Sequence, residues 1–142
     1  MKHTGEPLPP EVCQLLASFF PDFDLRRVRV YEGIPRYVIG QPLGYVNRYK
    51  IFFAPGAYRL DTAEGLALLA HELEHCRQYH VLGRWRFRWR YLRAFCRNRW
   101  LGMRWEDAYW HVPFEISARR VEANVLASLR QWQTNLSSTL ER

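Results

Sequence analysis

The sequence predicts an α+β domain. Three observations carry that expectation. Two short runs with period-two alternation fall within the first 54 residues, longer runs with apolar residues three and four apart lie on either side of them, and glycine and proline punctuate the chain between. With 142 residues, 48% of them apolar, the chain is long enough to close a core of its own. A single domain over 1–142 is expected, with its core at about 10–132 and loose ends at 1–9 and 133–142.

The elements follow in order. "PPEVCQLLASFF" predicts a first helix: Pro10 suits an early helical position, and Val12, Leu15, Leu16 and Phe19 recur at helical spacing. "FPDFD" ends it. "RRVRVYEG" alternates as a strand, with Val28 and Val30 on one face. Gly33, Pro35, Gly40, Pro42 and Gly44 mark a loop. "RYKIFFAPG" predicts a second strand, with Tyr49, Ile51 and Phe53 pointing one way and Lys50 and Phe52 the other. Pro55 cannot donate to a ladder, so this strand is expected to end there and to lie at a sheet edge. Asp61 and Glu64 have capping-box spacing, with Asp61 as the cap of a helix from about Thr62 to Leu82 that Gly83 stops. A second helical segment, 84–100, consists of arginines and aromatics, and a connector follows it. Pro113 opens the last helix, where Phe114, Ala118, Val121, Val125, Leu129 and Trp132 form an apolar stripe.

The net charge of +7 is unevenly placed. Nine arginines and no acid stand between Cys76 and Trp105, while the remaining 12 basic and 14 acidic side chains nearly balance. The N-terminus lacks an apolar core of signal-peptide length, and no run reaches the roughly 18–20 apolar residues of a membrane span. The three cysteines show no CxxC spacing. A soluble, cytoplasmic protein is the expectation.

"LLAHELEHCRQY" (68–79) holds the chemistry. Residues four apart on a helix project side by side, so His71 and His75 can grip one zinc ion at roughly 2.0–2.1 Å per nitrogen. Glu72 lies beside that face and out of line with the pair. It can reach a water on the metal, whose pKa zinc lowers to about 7, take the proton and return it to a leaving amine, which is the chemistry of HExxH. Leu66, Leu69, Leu73 and Cys76 make the helix otherwise apolar, so polar groups kept on it are expected to serve a purpose.

A catalytic zinc takes three protein ligands and keeps one position open. His80 is nine residues from His71, about 180° round the helix, and faces away. The metzincin pattern would need a glycine at position 78 and a histidine at 81, where Gln78 and Val81 stand, so that class is excluded. The third ligand must come from elsewhere, with His111, Glu115 and Glu122 as candidates. Glu115 sits in the first turn of the last helix, where a packed antiparallel neighbour could present it. Glu122, two turns on, could support a ligand instead or be solvated. Tyr109, His111 and Tyr79 are candidate donors to an oxyanion.

The stretch "LLAHELEHCRQYHVLG", followed further on by "YWHVPFEISAR", resembles the small gluzincin-type metallopeptidase domains, nearest to the bacterial core domain associated with extracellular contractile injection systems. The resemblance covers about residues 45–125. HExxH is shared by many families, whereas its combination with Gln78 and the Pro113–Glu115 segment is more particular. The resemblance implies zinc ligation by His71, His75 and Glu115, Glu72 as general base, and a zincin-like fold with "YKIFFAP" flanking the cleft. Ser117 departs from it, standing where many relatives carry another acid.

The expected function is a zinc-dependent metallopeptidase (a hydrolase) acting on a peptide or protein that pairs in extended form with the 49–54 strand. The alternative is a zinc-stabilised binding or assembly module with little or no hydrolysis, docking through the 84–100 helix. For that segment three readings compete. One is a packed helix whose arginine stems cover apolar surface. Another is contact with an anionic membrane through Trp85, Trp89, Leu92, Cys96 and Trp100. Nucleic acid ranks last.

Overall fold

The computed structural model describes residues 4–141. Along the chain run β1 (Glu6–Pro7), α1 (Pro10–Leu16), β2 (Arg29–Glu32), β3 (Gly44–Asn47), β4 (Lys50–Phe53), α2 (Ala63–Leu82), α3 (Arg84–Trp100), α4 (Trp105–Trp110) and α5 (Pro113–Leu140). The architecture is α+β: a four-stranded mixed sheet in the order β1-β2-β4-β3, with five α-helices among the described residues. β2 and β4 run parallel, and the two outer pairs are antiparallel.

Several elements differ from the sequence-based expectation, each for a physical reason. β4 is an interior strand, paired with β2 on one side and β3 on the other. Pro55 lies two residues beyond Phe53, past the last ladder pair, so its missing N–H removes nothing from the sheet. β3 arises inside the stretch read as loop. It is joined to β4 by the two residues Arg48 and Tyr49, with Arg48 at φ 58°, and these lack the Asn-Gly signature that would have announced a hairpin. In the expected loose leader, Glu6–Pro7 pair with β2 and Leu8 is buried; residues 1–3 of that leader and Arg142 of the expected tail lie outside the described residues. α5 continues through the polar tail to Leu140, exposed along its last turns. The cap of α2 is Thr62, whose hydroxyl accepts from the Gly65 N–H at 3.0 Å, while Asp61 pairs with Arg59 at 3.1 Å.

Val28, Val30, Ile51 and Phe53, buried by the predicted alternation, join Leu69, Leu73 and Cys76 of α2 in one core. α5 packs along α2 and buries Ala118, Val125 and Leu129 of its apolar stripe. Thus α2 is covered from two sides, which is why even its polar residues from His71 to His75 are buried. Fully burying leucines such as Leu69 and Leu73 contributes about 1.5–3 kcal/mol each. A polar clamp fixes the register of α2 against α5. Glu74, 2% exposed, accepts two hydrogen bonds from Arg77 at 2.9 Å and one from Ser117 Oγ at 3.1 Å, and Arg77 also reaches Asp22. Ser117 therefore completes this clamp. No helix among the described residues is long and apolar enough to cross a membrane.

Candidate metal centre

Helical periodicity sets the His71 and His75 rings one turn apart and edge-on to each other, with centroids 5.1 Å apart and planes at 74°. Pro113 starts α5 at its first helical position, and the first turn carries Glu115 to the imidazoles. His71 Nε2 lies 3.3 Å from Glu115 Oε2, and His75 Nε2 lies 3.2 Å from Oε1. All three residues are buried, and one ligand atom from each lies within 4.8 Å of the others.

The outer nitrogens are held as well. His71 Nδ1 is 2.9 Å from Glu122 Oε2 and His75 Nδ1 is 2.9 Å from Gln78 Oε1, while Gln78 Nε2 donates to the Phe114 carbonyl at 3.1 Å. Both partner oxygens can only accept, so each Nδ1 carries the hydrogen and each Nε2 turns inward as a potential ligand. Tyr91 Oη donates to Glu115 Oε1 at 3.0 Å. Glu115 Oε2 is buried and has no hydrogen-bond partner.

The charges of this cluster are strongly coupled. Burial opposes a charged His71, but the carboxylates of Glu115 and Glu122 outweigh it and raise the imidazole to about 10. His75 also ends up raised: burial works against its charge, and Glu115 overcomes it. Burial alone would push the Glu115 carboxyl up, yet the two imidazoles hold it well below the usual carboxylate range. Without metal, each charge in the cluster is thus favoured by its neighbours: the carboxylate favours protonated imidazoles, and the imidazoles favour the carboxylate. A cation replacing those protons would find three donors already gathered.

Glu72 is buried at 5% exposure, and burial pushes its carboxyl up. Its carboxylate presses against Gly44 of β3, where an added Cβ would stand 2.4 Å from Oε1. Tyr109 lies beside Tyr91, with ring centroids 6.3 Å apart, and its phenol is raised by burial and by the nearby Glu115 charge. His111 is exposed, and its Nδ1 donates to the Asp107 carbonyl at 2.7 Å within the α4 turn, apart from the three-residue cluster. Tyr79 is a buried packing residue against Phe87, centroids 4.0 Å apart. His80 faces away, bonded to Tyr49 Oη. Of the candidate acids, Glu115 meets both imidazoles and Glu122 supports His71 from outside. Tyr91 was missed. Its signal was present: it falls one turn after Phe87, on the side of α3 opposite the exposed tryptophans, and so faces the core.

Residues 7–82 match the family model described as the eCIS core domain, more than half of the chain. The matched stretch takes in β2, β3, β4 and all of α2, with His71, Glu72 and His75, and ends before α3. Glu115 and the arginine-rich helix lie beyond it, so the match begins earlier and stops sooner than the 45–125 span of the sequence resemblance. Comparisons with curated proteins and with solved structures give no match.

Proposed function

The chain belongs to the eCIS core domain family, and from that premise we propose that it is a zinc-dependent metallopeptidase of zincin-like build, acting on a peptide or protein substrate. One observation supports this reading above the others. Glu115 turns one carboxylate oxygen on each imidazole, Oε2 at 3.3 Å from His71 Nε2 and Oε1 at 3.2 Å from His75 Nε2, and Oε2 is buried without a hydrogen bond. A buried carboxylate facing two ring nitrogens is unfavourable unless a proton or a cation lies among them. Two imidazoles and a carboxylate form a donor set suited to Zn²⁺, with His71, His75 and Glu115 as the residues that would hold it. When bound, zinc supplies Lewis acidity, which polarises a substrate carbonyl and makes water a stronger acid.

The remaining work falls to the chain's own residues. Glu72, its basicity raised by burial, takes the proton of the attacking water on a carboxylate oxygen and passes it to the leaving amine nitrogen. Glu122 and Gln78 keep the imidazoles from rotating. Tyr109, whose phenol stays protonated well above neutral pH, is suited to donate to the carbonyl oxygen as it gains charge. Because β4 has neighbours on both sides, an extended substrate pairs instead with the outer edge of β3, next to Glu72. Glu72→Gln tests the proposal: the variant should keep the metal content of the wild type, measured by mass spectrometry, and lose peptide hydrolysis. Undiminished cleavage by the variant would refute it.

A second reading is an assembly module in which the metal ties α2 to α5. Family membership favours a part in a larger complex, and the closure of the cluster, at 7%, 7% and 2% exposure, favours a structural metal. Stoichiometric metal in a wild type that cleaves no peptide would select this reading.

A further inference from the structure

Helix α3 has two opposite faces. Phe87 and Tyr91 turn inward, packing on Phe114 and bonding Glu115. On the other side stand Trp85, Trp89, Leu92, Cys96 and Trp100, which at 3.6 residues per turn share about 80° of arc. They are not packed on the protein: Trp85 is 76% exposed, Trp89 66%, Leu92 53% and Trp100 90%. A continuous exposed stripe of this size marks a contact surface. Arg86, Arg90, Arg93 and Arg97 flank it on one side and Arg99 on the other. No acid occurs between Cys76 and Trp105. Among the described residues no arginine of α3 takes part in an ion pair.

We propose that α3 is a docking surface for an anionic lipid bilayer, lying flat with its tryptophans at the headgroup–acyl boundary and its arginines on the lipid phosphates. Charge complementarity selects this occupant. Arginines without an ion pair on both flanks, Arg99 among them with a hydrogen bond to the Met103 carbonyl, call for a dense anionic surface, and an apolar stripe between them calls for a hydrocarbon layer directly beneath it. Tryptophan favours that boundary because its ring is apolar and its N–H polar. A second copy of the chain would set arginine flanks against arginine flanks, with +7 on each molecule. A nucleic acid would satisfy the arginines and leave Leu92 and much of the stripe in water. Lipid contact through this face does not involve the metal centre, which lies behind the opposite side of the helix.

The test is co-sedimentation of the full chain with phosphatidylglycerol–phosphatidylcholine vesicles and with phosphatidylcholine vesicles alone, with tryptophan emission read in parallel. Binding to the anionic vesicles with a blue shift is expected, much weaker binding to the neutral ones, and release by salt. Trp85→Ser/Trp89→Ser should weaken partitioning at least about tenfold while thermal stability and metal content stay as in the wild type, because both side chains are exposed. Absence of binding to anionic vesicles at low salt would overturn the proposal, as would a double variant that binds as well as the wild type. Tighter binding of a single-stranded oligonucleotide than of anionic vesicles would overturn it, and so would a dimer that the double variant abolishes.

Discussion

Replacing Gly44 with alanine perturbs a close contact of Glu72. The backbone at Gly44 lies outside the left-handed region, so alanine brings no φ strain. Its methyl group would meet Glu72 Oε1 at 2.4 Å, Cδ at 2.6 Å and Cγ at 3.0 Å, where ordinary contact begins at 3.4 Å. The carboxylate must therefore move by about 1 Å, and a displacement of that size in a reacting group costs on the order of 100-fold in rate, or about 2.7 kcal/mol in the barrier. Crowding in a buried site should also lower stability by about 1–3 kcal/mol. Metal content should not change, since the three atoms nearest the added methyl all belong to Glu72 and none to a ligand residue. Two assays check this: kcat/KM on a peptide substrate, and chemical denaturation of the metal-free protein in the single variants and in Gly44→Ala/Glu72→Ala. Removing the Glu72 carboxylate should abolish most of the alanine penalty, giving a coupling of about 1–2 kcal/mol. Unchanged kcat/KM in Gly44→Ala, or an equal stability loss with and without Glu72, would refute the argument.

Two further outcomes follow from the groups around the imidazoles. Glu122→Gln keeps the shape but removes the charge that holds His71 Nδ1 at 2.9 Å, and metal affinity, measured by chelator competition, should fall about 10–100-fold. Metal binding near pH 7 should release at least about one proton, read by titration calorimetry in buffers of different ionisation enthalpy, because His71 is raised to about 10 in the metal-free protein and must give up the proton on Nε2, and the upward shift of His75 adds to the release. The same shifts set the stability of the metal-free protein. His71, raised from 6.5 to about 10, stabilises the fold fully below about pH 6.5, and that contribution is lost as pH rises through about 10. Glu115, lowered from 4.5, stabilises it above about pH 4.5, and that contribution is lost as pH falls through its depressed value. Thermal unfolding in the presence of chelator should therefore show a decline from pH 7 towards pH 10, which excess zinc reverses by stabilising the folded state.

Much of the site is written in local pattern. The spacing of His71 and His75 on a helix puts their rings side by side, and the apolar residues around them announce that the helix is buried. Pro113 marks the start of α5 for a reason internal to proline, and Gly83 ends α2 at φ 79° for a reason internal to glycine. That Trp85, Trp89, Leu92, Cys96 and Trp100 share one side of α3 follows from counting turns, whereas their exposure is set by the packing of the other side. β3 could not be read in this way, because Gly44–Asn47 forms a strand only through its pairing with β4. For the same reason Pro55 misled: its effect on a ladder depends on where the last pair falls, which is a property of two strands together.

By itself, then, the sequence determined everything that depends on neighbours along the chain: the helical grip of the two histidines, the adjacent carboxylate of Glu72, and the grouping of Trp85, Trp89, Leu92, Cys96 and Trp100 on one side of α3. Only the tertiary structure decided which distant acid would complete the cluster. It chose Glu115 for the space between the imidazoles, left Glu122 to hold His71 from behind, brought in Tyr91, and laid Gly44 against Glu72. Those assignments rest on distances between segments dozens of residues apart, set by how α5, α3 and β3 pack on α2, and no period within one segment encodes them.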